Sequence, residues 1–152
     1  MSSLKQRLHS DMVASMKARD ELRTATLRMV LTAIQTEEVS GKAARELSDA
    51  EVEGVLGREA KKRREAAEAY DGADRLELAA RERAEGEVIA SYLPKQLDDA
   101  ELVELVTAAL AESGLAGVGR ESMGAAMKAA NAAVAGRAEG GRIAAVVRAQ
   151  LG

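Results

Sequence analysis

Tyr92-Leu93-Pro94-Lys95-Gln96-Leu97 contains the only proline among 152 residues. Its ring removes a backbone donor and drives the preceding residue out of the α region, so a helix must stop at or before Leu93. A fresh helix start follows at once. Asp98 or Asp99 can cap it, and Glu101 stands three residues after Asp98, the spacing of a capping box. Tyr92 is one of only two aromatic residues. The stretch therefore reads as a joint between two helical blocks, residues 1–93 and 94–152.

Composition agrees with a helical chain on both sides of the joint. Alanine, leucine, glutamate and arginine dominate, while phenylalanine, tryptophan and cysteine are absent. These are strong helix formers, and with alanine abundant and large rings nearly absent they favour an all-α protein whose helices approach closely. Its core must be built from Leu, Val, Ile, Met and Ala. Without cysteine there can be no disulfide, zinc–thiolate site or thiol nucleophile. No apolar run near the N-terminus resembles a signal peptide, and none approaches the roughly 18 residues of a membrane span. A cytoplasmic protein with no membrane association is expected.

The formal charge of −3 gives no global attraction to nucleic acid, but the local distribution is uneven. Residues 58–64 (Arg-Glu-Ala-Lys-Lys-Arg-Arg) hold five bases and one acid. Residues 95–112 hold Lys95 against Asp98, Asp99, Glu101, Glu104 and Glu112. Residues 113–152 hold Arg120, Lys128, Arg137, Arg142 and Arg148 against Glu121 and Glu139. The second block is acidic at its start and basic beyond.

Apolar periodicity divides the first block into four helices. Leu4, Leu8, Met12 and Met16 recur every four residues. Asp20 can cap a second helix with Leu22, Thr26, Met29, Val30, Ala33 and Ile34 inward, and residues 40–47 form a loop. Ser48-Asp49-Ala50-Glu51 is a capping box ahead of Val52, Val55, Leu56, Glu59 and Ala60. That third helix runs to about Tyr70. A fourth spans about Asp74–Tyr92, with Leu78, Val88, Ile89 and Tyr92 inward and a charged middle (residues 81–87) projecting into solvent. Short connections favour an antiparallel four-helix block. The second block reads as three shorter helices, about 99–112, 120–134 and 140–151. Gly136 lies at a natural C′ position between the last two.

Residue chemistry offers no catalytic constellation. His9 is the only histidine and reads as a surface residue. Asp11 lies two positions away on a helix, hence on another face, so the pair makes no metal site. Gly114-Leu115-Ala116-Gly117-Val118-Gly119 follows a helix instead of a strand, which argues against a dinucleotide fingerprint. No catalytic residue, cofactor or metal is assigned. The run 58–64 reads as a solvated face answered by Glu65, Glu68 and their neighbours, with a phosphate contact as the alternative. Lys128, Arg137 and Arg142 lie in or beside a helix–glycine–helix turn, with Arg148 beyond it. Gly140-Gly141 opens the last helix, where backbone amides can approach a phosphate. These four bases are the candidate nucleic-acid contacts, set against a plain structural turn with solvated bases, and the family resemblance of the chain adds weight to the contact reading.

The order of these motifs resembles the GatB/YqeY family. Tyr92–Leu97 is followed by Met123-Gly124-Ala125-Ala126-Met127-Lys128, then by Gly136-Arg137-Ala138-Glu139-Gly140 and a closing apolar helix. Arg28-Met29-Val30 and the run from Arg58 to Arg64 agree with the family's N-terminal part. The similarity covers the whole chain and is that of a stand-alone YqeY-like protein. It implies a larger helical block followed by a small three-helix tail. In relatives this unit forms the tail of the B subunit of the tRNA-dependent amidotransferase, where it helps hold the tRNA body. The catalytic cradle and the glutaminase of that enzyme have no counterpart here. A carbon–nitrogen ligase activity with glutamine as amido-N-donor would be inherited as a family label. Two positions depart from the family pattern: Ala132 stands where many relatives have proline, and Glu139 where aspartate is usual.

Two functions are expected on this basis. The first is a tRNA-binding accessory module without chemistry of its own, assisting tRNA-dependent amidation, with a protein partner in aminoacyl-tRNA metabolism. The alternative is a protein–protein adaptor that binds no RNA and uses an apolar groove between the blocks.

Overall fold

The computed structural model describes residues 2–152. Seven α-helices account for most of them: α1 (Ser3–Lys17), α2 (Glu21–Glu38), α3 (Asp49–Gly72), α4 (Leu76–Ala90), α5 (Asp99–Glu112), α6 (Met123–Val134) and α7 (Gly140–Leu151). A 3₁₀ turn, Arg120–Ser122, leads into α6, so the sixth α-helix starts three residues later than its apolar pattern suggests. No strand occurs among the described residues. The chain is all-α, and it divides into two compact units, Met1–Leu93 and Pro94–Gly152.

Short polar side chains start four of these helices by accepting an otherwise unsatisfied backbone amide. Ser2 accepts from Lys5, Asp20 from Arg23 and Asp98 from Glu101. Ser48 and Glu51 form the reciprocal capping box that their spacing foretells. Glu51 also takes Arg45, and these bonds hold its carboxyl down at about 2.

The core of the first unit joins Leu8 of α1, Leu27, Val30 and Ile34 of α2, Val52, Val55 and Leu56 of α3, and Ile89 with Tyr92 at the end of α4. The expected stripes of α1 and α3 hold for the most part, although Met16 is 45% exposed. The expectation for α4 holds at its end, where Ile89 and Tyr92 are buried and Val88 packs against the core, but not in its first half. Of its charged middle, Arg81, Arg83 and Glu87 face solvent as expected, whereas Glu82, Glu85 and Gly86 are partly buried along α3. The inward stripe is Ala79, Glu82, Gly86 and Ile89, spaced three, four and three, while Leu78 points outward at 40% exposure. A side chain added at Gly86 would meet Cβ of Arg63 at 3.6 Å, which shows how closely the two helices lie.

Arg63 explains why carboxylates occupy this seam. Its guanidinium bonds Glu59 at 2.9 Å on its own helix and lies 3.7 Å from Glu82 and 4.0 Å from Glu85 across the seam. Their side chains are 8–18% exposed. Arg63 also donates to the Met29 sulfur of α2 at 2.9 Å. The basic run is thus largely answered from within the unit: Arg58 pairs with Glu37, Lys61 with Glu65 and Lys62 with Glu59.

Tyr92 closes the unit. Its hydroxyl donates to Asp11 Oδ2 at 2.6 Å and accepts from Arg23 at 2.9 Å, so the end of α4 is fixed to both α1 and α2. The Arg7 guanidinium lies 4.7 Å from the ring centre, within cation–π range. Burial, reinforced by the bond to Asp11, pushes the phenol up to about 12.

Candidate nucleic-acid interface

The second unit is a three-helix fold around Leu102, Val106 and Leu110 of α5, Ala126, Ala130 and Val134 of α6, and Ile143, Val147 and Leu151 of α7. Alanine on the inner face of α6 lets its neighbours approach closely. Leu97 joins this core at 3% exposure. The proline stretch therefore plants Tyr92 in one core and Leu97, five residues on, in the other.

The turn between α6 and α7 carries the candidate bases. Ala135 and Gly136 take left-handed backbone angles, φ 51° and 79°, and stop α6. Ala132 lies inside an uninterrupted α6. The segment Pro94–Leu97 runs against this turn and is bonded to it at several points. The Leu97 amide donates to the Arg137 carbonyl at 2.7 Å. Arg137 Nε returns a bond to the Lys95 carbonyl at 3.1 Å, and the Gln96 amide group reaches the Gly136 carbonyl at 3.3 Å. Arg142, at the start of α7, donates to the Leu97 carbonyl at 2.9 Å and to Asp99 at 3.0 Å.

Two of the four sequence-derived candidates thus also fasten the fold. Arg137 spends its Nε on a carbonyl, and no carboxylate among the described residues pairs with it. Arg142 is partly neutralised by Asp99, whose side chain is itself almost fully exposed and open to displacement. Lys128 and Arg148 are different. Both are exposed and make no ion pair among the described residues. Lys128 lies on the side of α6 opposite the buried Ala126 and Ala130, since two helical steps turn it about 200° away. The structure places Arg137 and Arg142 together along the proline segment, with Lys128 and Arg148 on the outer surfaces of α6 and α7.

The start of α7 has a second feature of interest. Glu139 occupies the N-cap position but its side chain makes no cap hydrogen bond. Gly140 and Gly141 have ordinary negative φ, and a Cβ at either would meet nothing within 4 Å. Neither backbone geometry nor internal packing requires glycine there, and each costs about 0.5–1 kcal/mol of helix stability relative to alanine.

Lys17 and Arg19 in the first unit escaped the sequence reading, which noted Arg28 only as part of the family pattern and not as a contact. All three are exposed and carry no carboxylate partner among the described residues. A usable signal was present, because Arg19 directly precedes the Asp20 cap, where a helix-terminating left-handed residue belongs. Among the described residues, no group of three His, Asp or Glu side chains is placed to hold a metal, and no helix is long and apolar enough to cross a membrane.

Comparison with known proteins adds one finding. The family model described as Yqey-like protein matches residues 5–151. A search of curated proteins returns no match.

Proposed function

The chain belongs to the YqeY-like protein family, and from that premise we propose that it is an RNA-binding accessory module. Its second unit would engage structured RNA, tRNA foremost, through Lys128, Arg137, Arg142 and Arg148. The reading gives it no catalytic step. It holds the RNA body while a partner enzyme of aminoacyl-tRNA metabolism, such as a tRNA-dependent amidotransferase, performs the amide transfer.

The observation that carries this reading is the α6–α7 turn. Two guanidinium groups are held there by backbone carbonyls, beside a helix start whose paired glycines serve no internal need. An arginine has five N–H donors in a planar fork suited to phosphate oxygens. Arg137 spends one of them internally, and the remainder can meet a phosphate without loss of the fold. Open amides at a helix start favour the same charge. Both tyrosines lie in the first unit, so the second has no aromatic ring on which a base could stack. Duplex regions of RNA are recognised mainly by shape and by phosphate and ribose contacts, which is the mode these residues can supply.

The test is a titration of full-length protein with tRNA, comparing wild type with Lys128→Gln/Arg148→Gln and with Arg137→Ala/Arg142→Ala. The first pair has no ion-pair or hydrogen-bond partner among the described residues and isolates the contact role. Loss of affinity in both pairs, with helical content retained, supports the reading. Binding unchanged in both pairs, or no tighter than to a random acidic polymer, refutes it.

A further inference from the structure

We propose that the first unit carries a second, independent contact for the RNA backbone, formed by Lys17 and Arg19 at the end of α1 and Arg28 on α2. The proposal takes its ligand from the RNA reading above, but it rests on different residues and separate observations.

Most bases of this unit are answered from within it; among the described residues Lys17, Arg19, Arg28, Lys42 and Arg75 make no ion pair, and the first three of these lie near one another in the fold. Lys5 pairs with Glu38 at 2.7 Å, Arg58 with Glu37 at 3.7 Å and Arg63 with Glu59 at 2.9 Å. Lys17, Arg19 and Arg28 are not answered. Helix spacing shows why. The i±3 and i±4 neighbours of Arg28 are Thr24, Ala25, Leu31 and Thr32, and those before Lys17 are Val13 and Ala14; Asp20 and Glu21 follow Lys17 beyond the end of α1, and neither forms an ion pair among the described residues. No acid stands where an ion pair could form along either helix. The nearby Asp20 carboxylate accepts the Arg23 amide at 3.1 Å. The polar contact that Arg28 makes is with a neutral thioether, Met16 Sδ, at 3.3 Å. That contact brings Arg28 of α2 to the residue next to Lys17, so the three cations share one end of the α1–α2 hairpin.

Arg19 adds a second line of argument. Its φ is 58°, a left-handed conformation in which a helix-ending glycine is ordinarily found. Its amide donates to the Met16 carbonyl at 3.1 Å and the Asp20 amide to the Ser15 carbonyl at 3.0 Å, so the turn is well fixed. A bulky cation therefore occupies a position where glycine would be more stable, and it is presented from a rigid turn. The helix dipole favours bases at the end of α1 and accounts for part of Lys17 and Arg19. It does not account for Arg28 in the body of α2.

Three cations on long side chains, without ion-pair partners among the described residues and with one exposed methionine between them, suit a run of phosphates better than an amphipathic acidic helix. The latter would need a row of anchoring pockets.

The experiment titrates full-length protein with tRNA across a salt series. Lys17→Gln/Arg19→Gln/Arg28→Gln is compared with Lys42→Gln/Lys61→Gln/Arg75→Gln, which removes the same charge from exposed positions of the same unit. The patch variant should bind about tenfold more weakly and lose about 2 from the slope of log K against log salt, with the control close to wild type. Lys17→Arg/Arg28→Lys, which keeps the charge, should bind as wild type. Equal weakening in patch and control variants overturns the proposal, as does equal affinity of the wild type for poly-L-glutamate. Weakening of the patch variant while Arg137→Ala/Arg142→Ala binds normally would leave this contact standing and remove the one on the second unit.

Discussion

The Leu97 amide donates to the Arg137 carbonyl at 2.7 Å, and the Arg137 side chain reaches back to the Lys95 carbonyl. The proline segment and the α6–α7 turn thus form one clasp, with Arg142 bonded to the Leu97 carbonyl beside it. Two motifs that look unrelated along the chain are halves of one local structure. Arg142→Ala removes the bonds to Leu97 and Asp99, so the second unit should lose about 1–2 kcal/mol. Thermal or urea unfolding checks this. A midpoint equal to wild type would mean that the arginine contributes nothing to the clasp.

Tyr92 serves the first unit in a comparable way. Tyr92→Phe keeps the ring beneath Arg7 but leaves Asp11 without the hydroxyl proton and Arg23 without its acceptor. A cost of about 1–2 kcal/mol is expected. The phenol also makes stability pH-dependent. Its folded value of about 12 lies above the ordinary 10, so the protonated hydroxyl's contribution is complete below pH 10 and is lost as pH rises toward 12. Between those values wild type should lose stability more steeply than Tyr92→Phe. Parallel curves for the two proteins would contradict this.

Arg63 stands among Glu59, Glu82 and Glu85. Arg63→Met fits the space but leaves three partly buried carboxylates facing one another, and should cost about 3–5 kcal/mol. Adding Glu82→Gln and Glu85→Gln should recover much of that loss. Chemical denaturation of the single and triple variants decides the matter. No recovery in the triple variant would mean that packing of the arginine stem, and not its charge, holds the α3–α4 seam.

This seam also shows where sequence reading succeeds and where it fails. The all-α class, the caps at Asp20, Ser48 and Asp98, and the stripe of α3 were legible because large apolar residues and capping side chains act through local spacing. The inward face of α4 was legible at Ile89 and Tyr92 but not along its middle. Its stripe of Ala79, Glu82, Gly86 and Ile89 carries one large apolar residue, and its carboxylates become inward-facing only because Arg63 waits on another helix. The candidate bases were legible as charge. The internal bonds of Arg137 and Arg142 were not, since their acceptors are backbone carbonyls distant in sequence. Arg19 was missed because its left-handed backbone is a property of the turn and leaves no mark on hydrophobic periodicity.

The start of α7 separates stability from binding. Glu139→Asp shortens the side chain to the length that caps well, and Gly140→Ala and Gly141→Ala meet no steric obstacle. Each should stabilise the second unit by about 0.5–1 kcal/mol. If the two glycines serve an approaching phosphate, the alanine variants should also bind tRNA several-fold more weakly. Stabilisation without any loss of affinity would show that the glycines have no part in binding.

The most direct measurement of the central claim is the salt dependence of tRNA binding by wild type and by Lys128→Gln/Arg148→Gln. Neither residue makes an ion pair or side-chain hydrogen bond among the described residues, so the comparison disturbs no contact seen to hold the fold. Wild type should show log K falling linearly with log salt, by about 0.7–0.9 for each phosphate contact. The variant should lose about 1.5 from that slope together with affinity. A variant that matches wild type in both slope and affinity would contradict the assignment of this face to RNA.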